Sequence, residues 1–143
     1  MKRSSMAVAL ACVVFLGCGE AAPDDEPDRA VVSGKVTYAG QPVADGEIRF
    51  VPAEGTQAPV STALIVDGAY SVNHKGGVPL GTHRIEVLAY RAKAGESEEI
   101  PGATEGSAAK EQFIPEKHNA KSKLEITVST AGEAIVKDVE LEE

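Results

Sequence analysis

Five side chains of this 143-residue chain could carry reactive chemistry by type: the thiols of Cys12 and Cys18 and the imidazoles of His74, His83 and His118. A thiolate serves as nucleophile, metal ligand or acylation target, and an imidazole as proton shuttle or metal ligand near neutral pH. Spacing removes most of these options. His74 and His118 fall in loop-like sequence with no second ligand at a metal spacing such as His-x-x-x-His, so both are expected as solvated loop residues. His83 and Arg84 are neighbours on a candidate strand, where successive side chains point to opposite faces and cannot share a pocket. His83 is expected instead as a core imidazole hydrogen-bonded to backbone. A Gly-x-Ser-x-Gly elbow, a Gly-rich phosphate loop and a helix to hold one are missing. No catalytic residue, metal site or cofactor is predicted.

The two cysteines are separated by their surroundings. Lys2 and Arg3 precede an apolar run from Met6 to Leu16 that closes on Gly17-Cys18, and a charged start, an apolar core and a small residue before the cut make a secretory signal peptide. The run is also too short for a bilayer span of roughly 20 residues. Phe15-Leu16-Gly17-Cys18 resembles a lipobox, with Phe15 where Leu is usual. That motif implies diacylglycerol on the Cys18 sulfur and cleavage before it. Ala9-Leu10-Ala11-Cys12 is a second, weaker match that leaves only Met6 to Ala11 as apolar core. A Cys12–Cys18 disulfide is the remaining alternative, but Cys12 lies inside the segment to be discarded. Residues 1–17 are therefore read as signal peptide, and the mature chain as free of thiol chemistry and disulfides.

Removing residues 1–17 takes away Lys2 and Arg3 and moves the net charge from -8 to -10. Nucleic-acid binding rests on Lys and Arg neutralising phosphates, and an anionic lipid surface repels a chain of this sign. The predicted membrane link is thus the covalent lipid on Cys18, each buried CH₂ adding about 0.8 kcal/mol. Residues 18–29 form an acidic, Pro-rich tether (Pro23, Asp24, Asp25, Glu26, Pro27, Asp28), extended by like-charge repulsion. Its acids lack the intervals and the central Gly of an EF-hand loop. Gly19 follows the anchor cysteine in place of the Asp that retains lipoproteins at the inner membrane, which favours an outer-membrane address.

From residue 30 to the end the hydrophobic period is two. Val32, Val36 and Tyr38 alternate with Ser33, Lys35 and Thr37, and Ile48 and Phe50 with Glu47 and Arg49. Thr62 to Val66 and Ala69 to Val72 flank Asp67-Gly68, the signature of a type I′ hairpin because both central positions want positive φ. Thr82 to Tyr90 makes a longer strand with His83, Ile85, Val87 and Ala89 on one face. Arg91 to Lys123 has no sustained period and reads as a long loop. Leu124 to Val128 and Ala134 to Leu141 close the chain, with Lys137 breaking the last strand's register and predicting a bulge or an edge position there. Seven short strands with regular turns predict an all-β, antiparallel, Greek-key β-sandwich over residues 30–143.

The blocks Val32-Ser33-Gly34-Lys35-Val36-Thr37-Tyr38, Gly40-Gln41-Pro42-Val43 and Gly46-Glu47-Ile48-Arg49-Phe50 resemble the opening hairpin of carboxypeptidase regulatory-like, or transthyretin-like, domains. Asp67-Gly68-Ala69-Tyr70-Ser71-Val72 and Pro79-Leu80-Gly81-Thr82-His83-Arg84-Ile85-Glu86-Val87 resemble the family's next hairpin and strand. Gln112 to Asn119 with Ser122-Lys123-Leu124 is similar to a segment of small bacterial envelope lipoproteins of this kind. The resemblance implies a seven-stranded prealbumin-like sandwich used as an accessory or interaction module rather than an activity. The transthyretin-like hydroxyisourate hydrolases end in Tyr-Arg-Gly-Ser. This chain ends Val139-Glu140-Leu141-Glu142-Glu143, so a degenerate hydrolase is only a remote alternative.

The expectation is a non-enzymatic, lipid-anchored envelope protein whose sandwich binds a protein partner through the 91–123 loop or an open sheet edge. The alternative is a carbohydrate or small-ligand binding domain. Sugar binding uses exposed aromatic platforms, and alternation turns Tyr38, Phe50 and Tyr70 inward, leaving Tyr90 and Phe113 as the candidate ligand contacts.

Overall fold

A computed structural model of the chain describes residues 26–93 and 110–143. Cys12, Cys18, the signal segment, most of the tether and residues 94–109 of the expected loop lie outside the described residues. The strands are β1 Arg29–Tyr38, β2 Gln41–Pro42, β3 Asp45–Pro52, β4 Ser61–Val66, β5 Ala69–Val72, β6 Val78–Pro79, β7 Gly81–Ala92, β8 Lys110–Gln112, β9 Glu125–Val128, β10 Ala134–Val136 and β11 Val139–Leu141. Two single 3-10 turns, His74–Gly76 and Glu116–His118, are the only helical segments among the described residues. The protein is all-β, as the two-residue period requires.

The strands form one curled sheet in the order β10-β1-β5-β4-β3-β7-β8, with β2, β6 and β11 also on β1 and β9 on β7. Curling turns alternate residues of both ends toward one core: Val32 and Val36 of β1, Ile48 and Phe50 of β3, Ile85 and Val87 of β7, and Val139 and Leu141 of β11. The β4–β5 hairpin sits between the two halves. Asp67 and Gly68 have φ of 50° and 76°, the positive pair of a type I′ turn, and Val66 faces Ala69 across it.

Three features differ from the sequence reading. First, β10 and β11 run parallel to β1, whereas the other pairings are antiparallel. After β9 the chain crosses to the beginning of β1, where the Gly132 N–H bonds the Arg29 carbonyl, and re-enters in the direction of β1. Second, the closing strand is at an edge but holds no bulge. Val31 pairs with Ala134 and Val36 with Val139, the same offset, so no residue is inserted. The ladder instead breaks at Lys137-Asp138: the Asp138 carboxylate accepts from the Lys35 N–H (2.8 Å) and the Tyr70 hydroxyl donates to the Lys137 carbonyl (2.7 Å). Third, β7 runs on to Ala92 and pairs with β8, and the Glu116–His118 turn follows, so residues 110–123 are structured. The three residues Lys110-Glu111-Gln112 carry no apolar alternation and are held by their partner rather than by burial.

Candidate functional site

The stretch Gly55 to Val66 contains no charged residue, in a chain where 25% of residues are charged. It ends in β4, and β4 has an open side. In a two-residue hairpin the residues flanking the turn exchange both backbone hydrogen bonds, and alternate positions aim their N–H and C=O the same way. Val66 faces Ala69 in this manner, so Leu64 and Thr62 direct their backbone groups toward the β5 side. The β4–β5 pairing extends only to Ile65↔Tyr70, because β5 leaves to pair with β1 through Gly34↔Tyr70 and Val32↔Val72. The Ile65↔Tyr70 pairing takes up the Leu64 backbone, which meets Ser71 of β5, so among the described residues Thr62 is the β4 position that no strand meets on that side.

Side chains reinforce the edge. Leu64 is 70%, Val66 60% and Val60 51% exposed. Beneath them on β3, Glu47 stands opposite Leu64 and Arg49 opposite Thr62, and these two ions pair with each other, leaving the surface locally neutral. Natural edges are protected by charge, proline or bulges. The other edges here follow that rule: β9 carries Glu125 behind Lys121 and Lys123, and β10 is flanked by Glu133 and Lys137. Neither β4 nor β10 holds a charge or proline within the strand itself, and Val136 of β10 is 75% exposed.

Comparison with family models, curated proteins and solved structures returns no match.

Tyr90 and Phe113 are not brought together. Tyr90 is half-buried on the outer face of β7, opposite Gln112. Phe113 bonds its N–H to the Ala89 carbonyl and packs on the core side, edge-on to Tyr38 at a centroid distance of 5.7 Å. The Arg91 guanidinium lies 5.2 Å over the Phe113 ring. A cleft of about 270 Å³ opens between Tyr38, Gln41, Pro42, Arg91 and Phe113. Phe50 and Tyr70 are buried and Tyr38 is half-buried against the core, so alternation placed all three rings on the inward side.

The histidines divide. His83 is fully buried beside Ile85 and Val87, and its Nε2 donates to the Pro79 carbonyl at 2.8 Å. Burial lowers its pKa, partly offset by that bond. Arg84 points to the other face and pairs with Glu86. His74 is exposed. His118 departs from the expected solvated state: its Nε2 donates to the Glu142 carbonyl at 2.6 Å, and Lys117 bonds the Glu143 carbonyl, tying the Glu116–His118 turn to the end of the chain. No cluster of three or more His, Cys, Asp or Glu side chains able to hold a metal occurs among the described residues. Sequence reasoning missed the open end of β4, because the uncharged run Gly55–Val66 does not say which strand lacks a neighbour.

Proposed function

We propose that this chain is a lipid-anchored protein of the bacterial cell envelope, favouring the outer membrane, whose described region is a non-enzymatic binding module. Signal peptidase removes residues 1–17, Cys18 carries the acyl chains, and residues 30–143 form a β-sandwich of the carboxypeptidase regulatory-like kind. The partner is an envelope protein that adds an extended segment to β4.

The observation carrying this reading is the open end of β4, where the outward-facing backbone groups of Thr62 lie between exposed Val60 and Leu64. Strand addition draws affinity from such main-chain groups and specificity from the side chains beside them. Thr62→Pro tests it. Proline removes the outward N–H, which pairs with no strand, so the edge position tolerates it. The variant should keep its thermal transition and lose the envelope partner that wild type captures by cross-linking at residue 64. Undiminished capture by the folded variant overturns the reading.

A second reading, a carbohydrate or other small-ligand site, draws on the cleft between Phe113, Arg91 and Tyr38. Tyr90, on the other face, would not contribute to it. Retention of wild type on a glycan array, lost in Phe113→Ala, would support it, and no retention by wild type removes it.

A further inference from the structure

We infer that β10 is a self-association edge: two copies of this chain pair their β10 strands antiparallel about a two-fold axis at Ile135, joining two sheets into one.

β10 ends the strand order and has β1 as its sole neighbour among the described residues. Bonds at its two ends fix which backbone groups are spent. The Val31 N–H donates to the Glu133 carbonyl at 3.1 Å, and the Lys137 N–H donates to the Ser33 carbonyl at 2.8 Å. Glu133 and Lys137 therefore turn toward β1. Ile135, two residues from each, turns with them, because alternate residues of a strand aim their backbone groups alike. Ala134 and Val136 lie between and aim their N–H and C=O away from the molecule. Their side chains are exposed as well. An uncharged edge of this kind invites another strand.

The flanking charges select the occupant. The segment reads Glu133-Ala134-Ile135-Val136-Lys137, with an acid and a base equally far from Ile135. Laid antiparallel on a second copy, with Ile135 opposite Ile135, Ala134 meets Val136 and Glu133 meets Lys137 on both sides of the axis. Each Ala134 and Val136 so paired exchange both backbone bonds. A parallel arrangement would set Glu133 against Glu133 and Lys137 against Lys137. Opposite charges directly across a strand pair stabilise it, and like charges oppose it. Neither Glu133 nor Lys137 has an ion-pair partner among the described residues.

The pairing closes on itself. The ladder beside β1 breaks at Lys137-Asp138, and Gly132, with φ of 72°, turns the chain before Glu133, so the free edge ends where the paired segment ends. A two-fold contact uses each edge once and gives a dimer rather than a filament. β4 is no rival for β10, since it carries no charge to answer Glu133 or Lys137. With β1 and β5 between them in the sheet, the β10 contact is separate from whatever adds to β4. Three paired residues a side make a small contact, of the weak and transient class.

The test is sedimentation equilibrium of the full chain in density-matched neutral detergent over a wide concentration range. Wild type should show a reversible monomer–dimer equilibrium. Glu133→Lys and Lys137→Glu should each weaken the dimer at least about tenfold, because each sets like charges across the axis on both sides. An equimolar mixture of the two variants should restore association, since every acid in the mixed pair again meets a base. Glu133→Lys also brings the net charge of -8 closer to zero, so a non-specific contact would strengthen where this one weakens. Val136→Pro removes an outward N–H and should abolish the dimer while keeping the thermal transition. Should that variant fold poorly, Glu133→Lys, at an exposed position, decides. Zero-length carbodiimide coupling of mixed light and heavy-isotope chains should join Glu133 of one copy to Lys137 of the other; within one chain they stand about 13 Å apart along the strand, too far to couple. A monomer at every concentration, a dimer that ignores both charge reversals, or a mixture that stays dissociated overturns the inference.

Discussion

His83 shows what a polar residue does when a sheet turns it inward. Its ring is as buried as the isoleucines that share its face, and a single bond to the Pro79 carbonyl keeps it there. Because that carbonyl only accepts, Nε2 holds the proton of the neutral ring, and Nδ1 is buried with no partner. Protonating Nδ1 would place a charge in the core, which is why burial lowers the pKa from the ordinary 6.5. The unfolded chain then takes up a proton more readily than the folded one. The stabilisation from the neutral ring is fully present above about pH 6.5 and declines as pH falls from there toward the depressed folded value, by at most about 1.4 kcal/mol per pH unit. His83→Gln keeps a donor for Pro79 but does not titrate. Urea unfolding at pH 7.5, 6 and 5 should show a shallower loss of stability in this variant than in wild type, and an identical loss would mean that His83 is not the titrating group.

Among the elements, sequence revealed those whose side chains alternate and concealed those defined by a neighbour. The Asp67-Gly68 hairpin and the faces of β7 were legible because turn chemistry and a two-residue period are local signals. β8 was hidden, since Lys110-Glu111-Gln112 becomes a strand only by lying beside Tyr90–Ala92. The open side of β4 was hidden for the converse reason: an edge is the lack of a neighbour, and β5's departure to β1 is a long-range event. Lys137 did mark a disruption, but its physical form is a ladder interrupted by the Asp138 side chain and the Tyr70 hydroxyl. Gly34 makes that interruption feasible. A Cβ there would stand 2.1 Å from the Lys137 carbonyl oxygen, so Gly34→Ala should push the closing strand off β1 and lower stability by about 2–3 kcal/mol in urea titration. Unchanged stability would show that the crossing is not tightly packed.

On the scale of the whole molecule, the proposed function joins two physically independent parts. The fold's interior is built from residues 30 to 141, whereas attachment is assigned to one sulfur at residue 18, so altering the sulfur should change address without changing the fold. On this proposal electrostatics would not substitute for the lipid: a net charge near -10 after cleavage would be repelled by anionic headgroups, and no helix among the described residues is long and apolar enough to cross a membrane. Wild type expressed in its envelope should therefore incorporate radiolabelled palmitate, stay with membranes in high salt and leave them in detergent. Cys18→Ser should lose the label and the membrane fraction together. Its circular dichroism and its thermal transition should match wild type, because the interior does not include the anchor. Membrane retention by the unlabelled Cys18→Ser protein would require a contact made by the folded domain, and the lipid would no longer be what holds the molecule in place.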